Sequence, residues 1–288
     1  MILYGIAGQE HLQSAIRLNA TFRYLGVLVG PAIGSVVMRV FHPAGGIFLN
    51  ACFYLPLSIW LIRAPFGSKF QGPSGPRRAV KGWADIVQTI RDVRALPVVA
   101  TMTMLAGCAS FFVGNSYQAQ MPGFAHDLGS AKADFTYSML LASDAAGALV
   151  AGFVLERRGG VLDTKPASAL KLAAGWGLAL GAFACVRIYP LAIACLFTAG
   201  FFELSFSSMV QTIVQMNAPN EIRGRVLGLY SMAAFGLRTF SGVTVGLVGS
   251  RVGIHVSLAG SAFCFAIAVA LLALNLRGKA TDRTPAPS

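Results

Sequence analysis

The sequence predicts an all-α membrane protein, a helical bundle with about eight transmembrane helices. Of its 288 residues, 55% are hydrophobic and only 12% are charged, which is about half the charged fraction of an average soluble domain. Apolar runs of about 20 residues, long enough to cross a bilayer as a helix, recur along the whole chain. The basic residues fall mainly in alternate loops between these runs. Together these patterns indicate a polytopic membrane protein.

Eight runs are predicted to span the membrane. They are Leu18–Val40, Ala44–Ile62, Val98–Met121, Phe135–Leu155, Ala169–Val186, Leu191–Val214, Val226–Gly249 and Ile254–Leu276. Only three residues separate the first two runs, and His42 and Pro43 among them predict a short turn and an antiparallel hairpin.

The chain divides by composition into four parts: two spans in 1–63, a linker in 64–96, six spans in 97–276 and a tail in 277–288. The linker is rich in Gly, Pro, Ser and basic residues, which is typical of a flexible cytoplasmic segment. Its second half, Trp83–Leu96, has apolar residues at helical spacing and is predicted to lie along the membrane surface. A calmodulin-type target helix is the alternative.

The distribution of basic residues predicts the topology. Of the 23 Lys and Arg residues, 17 lie on the side that holds both termini and four lie on the opposite side. Because cytoplasmic loops carry the excess of Lys and Arg, both termini are expected in the cytoplasm, with the protein in the inner membrane. This bias accounts for the net charge of +12 without a nucleic-acid partner.

The sequence contains no pattern typical of a metal site, a cofactor site or an enzyme. The five cysteines all lie inside apolar runs, without C-x-x-C spacing or a neighbouring histidine cluster. No nucleophile–base arrangement or phosphate-binding loop is apparent in any loop. We therefore expect neither metal nor cofactor and no catalytic activity.

The first predicted span carries small residues four apart, at Gly26, Gly30 and Gly34, with Pro31 beside the second. Such spacing leaves a stripe that a second helix backbone can approach closely, and the proline bends the helix. A packing face is one interpretation. The fuller pattern resembles the antiporter motif G-x-x-x-G-P-x-x-G-G of major facilitator superfamily exporters, with Ser35 at the last glycine. The resemblance implies a contact between the two halves of a carrier.

A second motif occupies the loop before the seventh run. Pro219–Val226 contains Glu221, Arg223, Gly224 and Arg225. It resembles the P-x-E-x-R-G-R-V segment before the eleventh span of the same superfamily, in particular its enterobactin-exporter-like and drug-efflux branch. The arginines are expected to reach carboxylates or lipid phosphates. A simple stop and anchor at a helix start is the alternative.

A third motif, Gly152 to Gly159 with Glu156 and Arg157, is similar to the C-terminal copy of the family's G-x-L-x-D-R-x-G loop. Glutamate stands here in place of aspartate. The resemblance implies a carboxylate–arginine latch that holds one conformation of the carrier.

By this resemblance the chain corresponds to spans five to twelve of a twelve-span carrier. We therefore expect a truncated gene, a misplaced start or a fragment. The expected partners are a small-molecule substrate, protons and the lipid bilayer, together with a missing N-terminal half or a second copy of the chain.

Three ionisable residues lie near the centres of predicted spans: Asp144, Glu203 and Arg238. Ionisable groups at this depth are costly and are commonly functional. A buried carboxylate that loads and unloads a proton would supply the coupling that an antiporter needs, so Asp144 and Glu203 are predicted to couple transport to protons. A structural ion pair between Arg238 and one of the carboxylates is the alternative.

Phe111, Asn115, Gln118 and Pro122 lie on one face of the third run. With Arg238, the first three are predicted to line a pocket for an amphipathic solute. A polar seam between neighbouring helices is equally compatible with the pattern. Taken together, the sequence predicts a proton-coupled exporter of drug-like or siderophore-like molecules that works by alternating access. A non-transporting membrane fragment or scaffold is the alternative.

Overall fold

The computed structural model describes residues 11–63, 83–129, 133–157 and 164–281, and these residues form helices joined by short turns, without a strand. The helices are α1 (Leu12–Arg63), α2 (Trp83–Arg94), α3 (Pro97–Phe112), α4 (Ser116–Ala119), α5 (Met121–Asp127), α6 (Ala133–Arg157), α7 (Pro166–Cys185), α8 (Tyr189–Asn217), α9 (Arg223–Ser231), α10 (Arg238–Val252) and α11 (Ile254–Thr281). A single π-helical turn, Met232–Gly236, joins α9 to α10. The predicted all-α class is confirmed.

Seven helical segments in the described part of the chain are long and apolar enough to cross a membrane. They correspond to the last seven of the eight predicted runs, and the run Leu18–Val40 is not among them. Proline occupies one of the first two positions of several helices, among them Pro97 of α3 and Pro166 of α7. Its fixed φ suits a helix start and it has no N–H to leave unpaired there. The chain is therefore a multi-pass membrane protein.

The two-span hairpin predicted for residues 18–62 is wrong in this structure. Instead α1 is one continuous helix of 52 residues, about 78 Å long, and it passes through His42 and Pro43 without a turn. No residue of its second half, Ala44–Arg63, is buried. Because this half buries no residue against the described chain, burial does not favour a turn, and an apolar run continues its helical hydrogen bonding.

The main core lies where α7, α8 and α11 meet. The Trp176 ring stacks on Phe206 with centroids 5.8 Å apart and meets the edge of Phe265 at 5.4 Å. All three side chains are almost fully buried. The three rings thus connect the three helices at the level of the site described below.

Helices α6 and α8 approach each other closely because each places a glycine against the other. A Cβ at Gly147 of α6 would overlap the Phe197 carbonyl oxygen, and a Cβ at Gly200 of α8 would overlap the Asp144 carbonyl oxygen. Absent side chains at these two positions allow backbone contact, as is usual between membrane helices.

The third predicted span is not one helix but is interrupted between α3 and α4. Gly114 lies in the interruption with φ of +49°, a left-handed conformation that glycine adopts without strain. A Cβ there would overlap the Ser241 hydroxyl. The interruption turns Tyr117 toward the bundle interior, where its side chain is fully buried.

The helix predicted in Trp83–Leu96 is confirmed as α2. It packs against α3 and α9 through a stripe that includes the buried Thr89 and Val93, whereas Val87 and Ile90 remain exposed. The exposed apolar residues are compatible with the predicted position along the membrane surface, which stays a prediction.

Candidate functional site

The two mid-span carboxyl groups lie together inside the bundle. Asp144 on α6 is 2% exposed and Glu203 on α8 is 9% exposed. Their proximity follows from the α6–α8 contact, because Gly200, one turn before Glu203, packs directly against the Asp144 backbone.

The hydroxyl of Tyr117 joins the two carboxyl groups. It lies 3.2 Å from Asp144 Oδ2 and 3.2 Å from Glu203 Oε2. Gln118 Nε2 donates to Asp144 Oδ2 at 3.1 Å and to the Tyr117 hydroxyl oxygen at 3.2 Å. Three helices therefore contribute to one buried hydrogen-bonded cluster, which we call the carboxyl cluster: Tyr117, Gln118, Asp144 and Glu203.

The hydrogen-bonding capacities of these groups limit how the contacts are made. A tyrosine hydroxyl has one hydrogen and two lone pairs, so it donates to only one of the two carboxyl groups. The other contact requires a hydrogen on the carboxyl itself. The contacts are all satisfied when the two carboxyl groups share one proton, which either Asp144 or Glu203 can donate to the Tyr117 oxygen while Tyr117 donates to the other group.

Glu203 also faces a small cavity of about 80 Å³. Arg238 lies on the wall of the same cavity, and its Nε is buried without a hydrogen-bond partner in the described part of the chain. Its guanidinium carbon lies 5.1 Å from the centroid of the Phe235 ring, within the range of a cation–π contact. Other lining side chains supply hydroxyl, amide and aromatic groups: Asn19, Ser110, Trp176, Phe206, Ser207, Ser208, Gln211 and Tyr230.

The alternative of a structural ion pair is not supported at Arg238. Among the described residues, no ion pair within 4.0 Å joins Arg238 to Asp144 or Glu203. The guanidinium thus contributes an available donor to the cavity.

The residues predicted to line a substrate pocket are divided by the structure. Gln118 belongs to the carboxyl cluster, and Asn115 Nδ2 donates to Gln118 Oε1 at 2.8 Å, which orients the Gln118 amide. Phe111 is 37% exposed and packs against Phe112 and Phe240, away from the cavity. The bond from Gln118 to Asp144 of α6 is the kind of contact that the polar-seam alternative describes.

The glycine motif of α1 makes no close contact at its described positions. A Cβ at Gly26 or Gly30 would have no neighbour within 4 Å. The side chain of Pro31 and the surroundings of Gly34 lie outside the described part of the chain. Helix α1 instead meets α6 earlier, where a Cβ at Gly152 would overlap Thr21. The close contact between α1 and α6 thus involves Thr21 rather than the glycine stripe.

Of the two loop motifs, only the one at Pro219–Val226 is described at the level of side chains. Arg223 donates from Nε and Nη2 to the Ala218 carbonyl oxygen, at 3.3 and 3.2 Å. Ala218 terminates α8, so the guanidinium stabilises the carbonyl end of that helix. Glu221 and Gly224 are exposed, and Arg225 is half-buried.

The latch motif lies beyond the described side chains. The described part of the chain includes neither the side chains of Glu156 and Arg157 nor any part of Gly159. The latch stays a prediction.

Sequence reasoning missed Tyr117 and the polar stripe of α8. Glu203, Ser207 and Gln211 are four residues apart, so they share one helix face, and all three line the cavity. That spacing was a visible signal. Tyr117 was adjacent to the predicted Gln118, but its orientation depends on the interruption at Gly114.

Comparison with known proteins gives consistent matches. Residues 2–243 match the family model of the Major Facilitator Superfamily. The enterobactin exporter EntS of Shigella boydii serotype 18 (strain CDC 3083-94 / BS512) is 23% identical over 274 residues, which cover 94% of this chain and 63% of that protein. EntS of Escherichia coli O139:H28 (strain E24377A / ETEC) and of E. coli O9:H4 (strain HS) are 22% identical with the same coverage.

This chain thus spans 63% of the length of these curated relatives. The family match covers most of the chain, and the described helices form the all-α, multi-pass architecture that the resemblance implied. The chain belongs to the Major Facilitator Superfamily.

Proposed function

We propose that this protein exports a small amphipathic molecule in exchange for protons by alternating access, with Asp144 and Glu203 as the proton-binding groups. Membership of a transporter superfamily points to transport rather than catalysis. The observation that carries the proposal is the Tyr117 hydroxyl, which contacts both buried carboxyl groups beside a polar cavity.

The proton enters and leaves the cluster through Glu203. Glu203 lines the cavity, whereas Asp144 is the more deeply buried carboxyl and reaches Glu203 through the Tyr117 hydroxyl. A proton taken up by Glu203 is therefore shared along a hydrogen-bonded path that reaches Asp144 through the Tyr117 hydroxyl.

The exported molecule competes with the proton for Glu203. A hydrogen-bond donor or cationic group of the molecule binds the Glu203 carboxylate only when the proton has left. Acceptor groups of the same molecule bind the available Arg238 guanidinium, and aromatic groups pack on Phe235 or Trp176. This competition is what converts a proton gradient into export.

The cavity size limits what is held at this point. A drug-sized site has a volume of about 300–1,000 Å³, whereas this cavity measures about 80 Å³. We infer that it holds one functional group of the exported molecule in the conformation described, and that the remainder lies outside it.

The orientation and domain division belong to the same proposal. We place both termini in the cytoplasm and residues 97–276 in one six-span bundle. The distribution of Lys and Arg supports the orientation. The core at Trp176, Phe206 and Phe265, which joins α7, α8 and α11, supports the bundle.

Proton release on binding tests the exchange directly. The purified chain in weakly buffered detergent solution is mixed with ethidium or with enterobactin, and the released protons are measured with a pH-sensitive dye. We expect ethidium and enterobactin each to release protons when they bind to the wild type. Neither should release protons from Glu203→Gln, because an amide does not gain or lose a proton as a carboxyl group does.

Binding is followed in parallel by the change in tryptophan fluorescence, to which Trp176 in the cavity wall contributes. Arg187→Gln serves as the control because Arg187 is an exposed charge remote from the cavity lining. Equal proton release from Glu203→Gln and the wild type would refute the assignment of Glu203. Binding of both molecules with no proton release from the wild type would refute proton exchange as a whole.

A further inference from the structure

A groove between α7 and α11 is separate from the cavity at Glu203 and has a volume of about 610 Å³. Nine of its eleven lining residues are apolar, and five of these are alanines: Ala167 and Ala174 of α7, and Ala266, Ala270 and Ala273 of α11. Because alanines face each other across the two helices, the helices leave space between them that no side chain of the described chain fills.

The groove has the length of one membrane leaflet. It extends from Lys165 to Ala174 along α7 and from Ala266 to Leu276 along α11, which is about 15 Å on either helix at 1.5 Å per residue. The hydrocarbon core of a bilayer is about 30 Å thick. The groove therefore runs from one membrane surface to about the bilayer centre.

One end of the groove is basic. Lys165 precedes the first turn of α7, and Lys171 follows it along the groove; both side chains are exposed and both line it. Long lysine side chains extend their charge to the membrane interface while their methylene groups lie on apolar surface. The charge distribution predicts that this end lies at the cytoplasmic leaflet.

We propose that this groove is a binding site for an anionic phospholipid, with an acyl chain along the alanine-lined walls and the phosphate held by Lys165 and Lys171. The site requires both features. An apolar groove alone accepts the acyl chain of any lipid, whereas the two lysines at its surface end select a net negative headgroup.

Native mass spectrometry of the full chain tests the site. The protein, purified in detergent, is titrated with phosphatidylglycerol or with phosphatidylcholine that carries the same acyl chains. We expect retained phosphatidylglycerol to exceed retained phosphatidylcholine by at least tenfold, since each lysine near the membrane surface contributes roughly a fivefold preference for anionic lipid. The double variant Lys165→Gln and Lys171→Gln should lose this preference.

Two further variants separate the headgroup from the acyl chain. Ala270→Phe places a ring in the groove and should reduce retention of both lipids. Arg187→Gln, an exposed charge beyond the other end of α7, should leave retention of both unchanged and is the matched control for the lysine variants.

Several outcomes would overturn the proposal. Equal retention of the two lipids by the wild type, or an undiminished preference in the double lysine variant, would exclude selection by these lysines. A dimer mass that Ala270→Phe abolishes, with no lipid retained, would show that a second copy occupies the groove. If Ala270→Phe fails to fold, the lysine variants still decide, because exposed glutamines do not disturb the core.

Discussion

The backbone contact between α6 and α8 makes Gly200→Ala the most informative single substitution. A Cβ at this position would overlap the Asp144 carbonyl oxygen, and rigid backbone cannot rotate away as a side chain can. The two helices must therefore separate locally. The substitution adds one methyl group and changes no charge, so its effect reports on this contact alone.

The expected cost follows from the packing. Inserting an additional methyl group into a closely packed interior typically costs about 1–3 kcal/mol. For a chain of this size, each kcal/mol corresponds to a change of about 2–4 °C in the melting temperature. We expect the thermal unfolding midpoint of Gly200→Ala to fall by roughly 2–12 °C.

The same shift should disturb the carboxyl cluster. The Tyr117 hydroxyl lies 3.2 Å from Asp144 Oδ2 on one helix and 3.2 Å from Glu203 Oε2 on the other. Both distances already exceed the range of about 2.5–3.0 Å that is usual for O–H···O hydrogen bonds. If α6 and α8 move apart by about 0.5 Å, Tyr117 retains only one contact. Proton release on solute binding should then fall together with stability.

A matched control has the opposite expected sign. Gly260 lies within α11, and a Cβ there would have no neighbour within 4 Å. Alanine is favoured over glycine inside a helix by about 0.5–1 kcal/mol, so Gly260→Ala should raise the unfolding midpoint slightly. If Gly200→Ala is as stable as Gly260→Ala, the α6–α8 backbone contact does not exist in the protein and the reasoning fails.

Three further predictions follow from the same structure. Tyr117→Phe should abolish solute-induced proton release while it lowers the free energy of unfolding by only about 1–3 kcal/mol, the cost of leaving a buried polar partner unpaired; unchanged proton release would remove the hydroxyl from the proton path. Gly152→Ala should lower the unfolding midpoint because of Thr21, whereas Gly30→Ala should not, since its Cβ would have no neighbour; the reverse order would restore the Gly30 stripe as the packing face. Reporter fusions after Ser68 and after Ser130 should lie on opposite sides of the membrane, with Ser68 in the cytoplasm, and equal signals from both would contradict the predicted orientation.

The helical class, the last seven membrane segments and the presence of two carboxyl groups at mid-span could be predicted from the sequence, because each depends on local composition. A run of about 20 apolar residues and a carboxylate at its centre are visible without any tertiary contact. Which groups meet depends on packing between distant segments. Gly200 and Asp144 are 56 positions apart in the printed sequence, and no pattern within either span indicates that their backbones touch.

The same distinction explains the wrong prediction for α1. The turn at His42 and Pro43 was inferred from the spacing of two apolar runs, on the assumption that each run crosses the membrane separately. A helix continues unless some contact favours a turn, and the second half of α1 has no buried residue to provide one. Local sequence here predicted the helix correctly but could not supply the packing that would fold it back.

The two interruptions of regular helix lie next to each other and beside the cavity, and this arrangement has a physical reason. Gly114 in the α3–α4 interruption packs against Ser241 near the start of α10, and the Ser241 hydroxyl donates to the Arg238 carbonyl oxygen. The π-helical turn before α10 packs on α3 through Gly107, which faces Ala233 and Leu237. Within a membrane, irregular backbone is tolerated only where protein or a water-filled space satisfies its polar groups. The N–H groups of Val113 and Gly114 donate to the Ala109 carbonyl oxygen, so the first interruption satisfies these donors within the chain. The two interruptions shape the cavity, because the first turns Tyr117 toward the carboxyl groups and the second precedes Arg238 on the wall that Glu203 faces.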